Sequence, residues 1–138
     1  MNHVHVHIPS DPTYERVVRA SAAELAEALG FAAERIDDLK LEVREAVSNA
    51  IDHGNQRNRS LTVEVTFAVT PDHLEVRVID HGVGVERIDW GRRVVAEEQL
   101  DAGMLRGFGM YLMSALVDQC EVQSSSTGTQ LTLRLLRP

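Results

Sequence analysis

The sequence predicts an α+β fold, a two-layer sandwich in which one mixed or mostly antiparallel sheet carries its helices on one face. Three observations lead there. Five short stretches alternate apolar and polar residues as strands do, and two longer ones repeat their apolar residues at helical spacing. The last four strands fall into two pairs joined by turn residues, which makes hairpins. Strands and helices do not alternate regularly, so a doubly wound parallel sheet is the poorer fit.

The elements follow in order. "HVHVHIP" sets His3, His5 and His7 against Val4, Val6 and Ile8, a half-buried strand that Pro9 ends. Three histidines on one strand face could bind a metal, but a zinc site wants three or four convergent ligands. An exposed polar face explains the pattern without metal. "DPTYERVVRASAAELAEALG" predicts a helix with Asp11 as N-cap, Pro12 at its first position and Gly30 as C-cap. Val17, Ala20, Leu25 and Ala28 are its expected core face. A second helix is expected from Glu34 to His53, closed by Gly54, with Ile36, Leu39, Val43, Val47 and Ala50 as its buried stripe.

"LTVEVTFAV" (Leu61–Val69) and "HLEVRVID" (His73–Asp80) flank the turn "TPD" and predict an antiparallel hairpin. A long Gly-rich, mixed-charge connection follows, the kind of segment that carries function or moves. "GMYLMSALVDQ" predicts a short helix, and "CEVQSSS" and "TQLTLRLL" two more strands joined at "STG". No repeat, low-complexity stretch or linker interrupts residues 1–138, which are expected to form a single domain.

Composition narrows the function. The 138 residues are 43% hydrophobic and 25% charged, an ordinary globular balance. No apolar run approaches the roughly 20 residues of a membrane span, and the N-terminus lacks the pattern of a secretory signal. The single Cys120 excludes an internal disulfide and suits a reducing compartment, so a cytoplasmic protein is expected. The net charge is −7, with no basic cluster beyond "GRR" at Gly91 to Arg93. Direct nucleic-acid binding draws its affinity from neutralised phosphates and is therefore not expected.

Four segments carry chemistry. In "REAVSNAIDHGN", Glu45, Asn49 and His53 recur every four residues and form one stripe of a helix. A solvated face would explain polar residues there, although Asn is a mediocre helix former without a local role in mid-helix. In "VIDHGVG", Asp80 ends a strand, with Gly82 and Gly84 behind it. A carboxylate there can accept a hydrogen bond from an exocyclic amine, and the glycines let a flat ligand approach the backbone. "RGFGM", Arg106 to Met110, places Gly107 and Gly109 before a predicted helix, where unpaired N–H groups favour an anion. It is neither a P-loop nor a G-x-G-x-x-G fingerprint. "GTQLTL" sets Thr129 at the start of the last strand.

In this order the four segments resemble the ATP site of the GHKL superfamily, which includes gyrase B, histidine kinases and MutL. The chain most resembles the bacterial anti-sigma-factor serine kinases of that superfamily, over nearly its whole length, and "EAVSNAIDHG" is the most specific match. The resemblance implies a Bergerat-type fold and a set of roles. Glu45 would be the general base for the attacking hydroxyl, and Asn49 a Mg²⁺ ligand through its side-chain oxygen. His53 would lie near the phosphates. Asp80 would recognise the adenine amino group, Gly82 and Gly84 would shape the pocket, and Thr129 would sit near the adenine. Gly107 and Gly109 would lie under the phosphates, and Val85 to Arg106 would form a lid, with Arg106 as a phosphate contact.

It implies, further, an ATP- and Mg²⁺-dependent kinase that holds a sigma factor inactive and phosphorylates a serine of a small STAS-type anti-anti-sigma protein. Homodimers are common among such members. The alternative is a nucleotide-binding regulatory module that sequesters a partner without phosphoryl transfer. Glu45 argues against it, because a pure binder needs no base. Histidine autokinases add a dimerising helical segment, for which these residues leave no room.

Overall fold

A computed structural model describes residues 2–82 and 117–138. Among these residues five strands form one sheet in the order β1-β2-β3-β5-β4. They are β1 (Asn2–Pro9), β2 (Thr62–Val69), β3 (His73–Ile79), β4 (Gln119–Ser125) and β5 (Gly128–Leu136). Every pairing in it is antiparallel. Among the described residues, two helices, α1 (Glu15–Ala28) and α2 (Ala33–Asn49), accompany the sheet in an α+β architecture. Both expected hairpins form, β2 with β3 and β4 with β5. Thr70 organises the first turn: its hydroxyl donates to the His73 carbonyl and accepts the His73 N–H.

Strand alternation sorts the sheet's two faces. Val63, Val65 and Phe67 of β2, Val76 and Val78 of β3, and Leu131, Leu133 and Leu135 of β5 pack against Val18, Leu39, Val43 and Val47 of the helices. At about 25 cal/mol per Å² of apolar surface, this continuous layer is the main source of stability. The histidines of β1 lie on exposed positions, with His3 and His5 stacked, so only Ile8 of that strand is fully buried.

The entry to α1 departs from the expected pattern. Asp11 caps a 3₁₀ turn at Pro12–Tyr14, its Oδ1 accepting from Thr13 N at 2.9 Å. That tighter turn rotates the phase of the helix after it. The buried face is Val18, Ala22 and Ala26 with Glu15, while Val17 is 49% exposed and Ala20 and Ala28 face outward; of the expected set only Leu25 packs on the core. The small alanines let α1 lie close to α2.

The stripe expected for α2 holds, since Leu39, Val43, Val47 and Ala50 are buried and Ile36 partly so. The α-helix, however, ends at Asn49, and Ala50–Gly54 form a π turn. Asn55 N donates to Ala50 O at 2.8 Å, the five-residue span of that wider turn. The short helix expected at 109–119 lies mostly outside the described residues. Its end needs correction, because Val117 and Asp118 are not helical and Gln119 already opens β4. Among the described residues no helix is long and apolar enough to cross a membrane.

Candidate functional site

The C-terminal end of α2 and the far ends of β3 and β5 enclose a cavity lined by Ala46, Asn49, Ala50, Val78, Asp80, Val122, Thr129 and Leu131. Three residues singled out from separate parts of the sequence, Asn49, Asp80 and Thr129, therefore meet. The small side chains Ala46 and Ala50 leave the space, and Val78, Val122 and Leu131 make its walls apolar. A planar apolar ligand with a polar edge suits such a lining.

Asp80 is fixed by backbone. It is 5% exposed, and its Oδ1 accepts N–H from Thr129 at 3.2 Å and Gly82 at 3.3 Å. Its own N–H donates to Thr129 O at 3.0 Å, tying the end of β3 to the start of β5. Two glycines make this packing possible. A Cβ on Gly54 would overlap the Asp80 carboxylate, and one on Gly128, whose φ is +150°, would overlap the Asp80 carbonyl. Thr129 is buried, and its side-chain oxygen lies 3.4 Å from Ser124 Oγ.

Asn49 closes α2 with its amide turned inward. Its Nδ2 is buried and has no hydrogen-bond partner among the described residues. A buried amide left unpaired costs about 1–3 kcal/mol, so it marks a place where a ligand group would bind. Glu45 is half-buried on α2 one turn earlier, and His53 is half-buried in the π turn. Neither is among the described residues that line the cavity. The regular stripe expected from Glu45 through Asn49 to His53 is broken after Asn49, because the π turn changes the angular step. Gly84, Arg106, Gly107, Gly109 and the expected lid, Val85 to Arg106, lie outside the described residues.

Sequence reasoning missed three contributors. Gly54 was read as a helix stop and Gly128 as a turn residue, yet both abut Asp80. Asn55 is 2% exposed and hydrogen-bonds the backbone directly after Asp80. A G or N next to a helix end signals only a cap in one dimension, so no local feature announces these contacts.

Comparison with known proteins now defines the class. The model of the histidine kinase-like ATPase domain matches residues 8–135. The chain belongs to that family. Among curated relatives it is similar to the serine-protein kinase RsbW of Bacillus velezensis, 34% identical over 132 residues, 91% of this chain and 81% of the relative. RsbW of Bacillus subtilis is 31% identical over 131 residues, 91% and 80% of the two chains. RsbW of Bacillus pumilus is 33% identical over 141 residues, 96% and 85%. These similarities run over most of the chain and support a serine kinase. The fold matches a crystal structure of the RsbU and RsbW domains of a Mycobacterium tuberculosis protein, with a TM-score of 0.71 at 22% identity. That match covers 100% of this chain and 34% of the other.

Proposed function

We propose that this chain is an ATP- and Mg²⁺-dependent serine kinase that is also an anti-sigma factor. It holds a sigma factor inactive and phosphorylates a serine on a small STAS-type anti-anti-sigma protein, and both partners are proteins. The observation that carries the reading is the convergence of Asn49, Asp80 and Thr129 on one apolar cavity. The unpaired Asn49 amide N–H and the Asp80 carboxyl on the cavity lining support a nucleotide whose base lies in the cavity and whose phosphates leave past α2. The net charge of −7 favours protein partners over nucleic acid. A homodimer would use β1, an edge strand of the sheet.

In this reading Asp80 accepts the adenine amino hydrogen, and the cavity walls cover the ring. Thr129 stands beside the base, and Gly82 keeps the approach open. His53, Arg106, Gly107 and Gly109 serve the phosphates. Mg²⁺, when bound, neutralises phosphate charge, and Asn49 is the described side chain that would hold it. Glu45, one helical turn from Asn49, takes the proton of the attacking serine hydroxyl. The serine oxygen then bonds the γ-phosphorus, the bond to the β-phosphate bridging oxygen breaks, and ADP leaves. Such transfer depends mainly on positioning and charge stabilisation, which suits groups mounted on one rigid helix.

Glu45→Ala tests this. Losing a general base lowers transfer by about 10²–10⁴-fold, while ATP affinity stays close to wild type. Phosphoryl transfer from radiolabelled ATP to the cognate antagonist, read beside ATP binding, checks both. Undiminished transfer in the variant contradicts the role of Glu45. Regulation without any transfer in folded wild type would leave a sequestering module instead.

A further inference from the structure

We propose that Asn55 is a positioning residue for base recognition, setting the affinity and selectivity of the site for a purine that carries an exocyclic amine. The inference rests on the reading of Asp80 as the base-recognising carboxylate and extends it to a residue outside the cavity lining.

Asn55 stands where three chain segments meet. Its Oδ1 accepts the N–H of His81, the residue after Asp80, at 2.9 Å. Its Nδ2 donates to Ser10 Oγ at 2.8 Å and to Thr62 O at 3.2 Å. Ser10 follows β1 and in turn donates to Leu61 O at 2.6 Å, so the anchor is itself held. One buried amide thus joins the exit of β1, the entry to β2 and the exit of β3. Its neighbour Gly54 packs against the Asp80 carboxylate, and its own backbone closes the π turn through Ala50 O. The position of Asn55 therefore sets both the backbone after Asp80 and the surface against its carboxylate.

The chain accepts strain to keep Asn55 in place. Gln56 and Arg57 follow it with φ of +53° and +57°, a left-handed conformation disfavoured for residues with a Cβ. Arg57 N bonds Ile51 O at 2.7 Å, and Asn58 N bonds Asn55 O at 3.0 Å, which turns the chain sharply back. Such conformations persist only where the surroundings over-determine them. Beyond it, the His81 side chain meets Glu64, whose other oxygen lies 3.6 Å from His7 Nε2, so the strand end has a second tether on the exposed face. That tether fixes the side chain after Asp80 but not the backbone N–H that Asn55 holds.

Base recognition is sensitive to this. A hydrogen bond between Asp80 and an exocyclic amine depends on placing the carboxylate within a few tenths of an ångström. Without Asn55 the His81 N–H loses its acceptor and the end of β3 can shift. Affinity for adenine should then fall, while affinity for a base that makes no such bond should not.

The test is equilibrium titration of the full chain with ATP and with inosine triphosphate, which has a carbonyl oxygen where adenine has its amine. Wild type, Asn55→Ala and Asn55→Asp are compared, with melting temperatures recorded. Asn55→Asp keeps an acceptor for His81 N–H and loses the donor to Ser10 and Thr62. Wild type should prefer ATP. Asn55→Ala should weaken ATP about tenfold, leave inosine triphosphate nearly unchanged and keep one site per chain, whereas Asn55→Asp should melt lower yet retain the preference. If Asn55→Ala does not fold, Asn55→Ser, too short to reach His81, is read in its place.

For a merely structural residue Asn55→Ala would lower the melting temperature or the fraction of binding sites and leave the preference intact, and that result overturns the proposal. If wild type binds both nucleotides equally, the reading of Asp80 falls and the positioning role falls with it. If wild type discriminates and Asn55→Ala discriminates as well, only the role of Asn55 is lost.

Discussion

Asp80 and Glu42 are both carboxyl groups taken out of water, 5% and 0% exposed. Asp80 sits at a strand end where two backbone N–H groups point at one oxygen. Glu42 sits in the middle of α2, where the helix has already used its N–H groups, and neither of its oxygens has a hydrogen-bond partner among the described residues. A third buried carboxylate, Glu75, shows the other solution, pairing with Arg77 and Arg134 at 2.7 and 2.8 Å. Burial alone therefore does not decide what a carboxyl group does. Backbone donors can hold a buried carboxylate, guanidinium groups can neutralise one, and a group with neither keeps its proton.

Burial pushes the Glu42 carboxyl up to about 8; Arg35 opposes the shift, and Asp38 and Asp118 add to it. The unfolded chain releases this proton near 4.5, so between about pH 4.5 and 8 the folded state binds the extra proton. Stability from this group is thus fully present below pH 4.5 and is lost as pH rises through 8. The loss is on the order of 3–5 kcal/mol. Glu42→Gln keeps the shape of the neutral acid and cannot ionise, so its stability relative to wild type should rise across that window by the same amount. Urea unfolding at a series of pH values reads this. A constant difference would mean that Glu42 is ionised and has found a partner.

The next effect is on the ligand. Asp80→Asn removes the charged acceptor and turns an amide toward an exocyclic amine, a loss of about 1.5–3 kcal/mol or roughly 10–100-fold in ATP affinity. Glu42→Gln should stay within about twofold, because Glu42 is not among the residues lining the cavity. Calorimetric titration of both variants at pH 7 separates the two carboxyls. Equal losses would erase the distinction between them.

The same two residues mark how far the sequence can be read. Asp80 was legible because a carboxylate that opens a D-x-G-x-G spacing, in order with Asn49 and Thr129, is a one-dimensional pattern. Strand ends were legible to within about a residue because alternation has a period of two. Glu42 was passed over because its environment is set by β4 and the helix packing, which no local pattern reports. The α1 face was misjudged because a 3₁₀ entry changes the phase without changing the periodicity. The π turn at Ala50–Gly54 has no signal in "AIDHG", yet it brings Gly54 and Asn55 to Asp80. Cys120 packs partly buried against the core, and burial pushes its thiol up to about 12, with Glu42 and Glu121 adding to the shift.

The most direct test of the account is ATP affinity with and without Mg²⁺ for wild type and for Asn49→Ala. If the Asn49 side-chain oxygen is the metal-side anchor of a nucleotide held by Asp80, wild type binds ATP more tightly with Mg²⁺, and Asn49→Ala loses most of that gain. Folded wild type that binds no ATP, or a Mg²⁺ gain unchanged by Asn49→Ala, would contradict it.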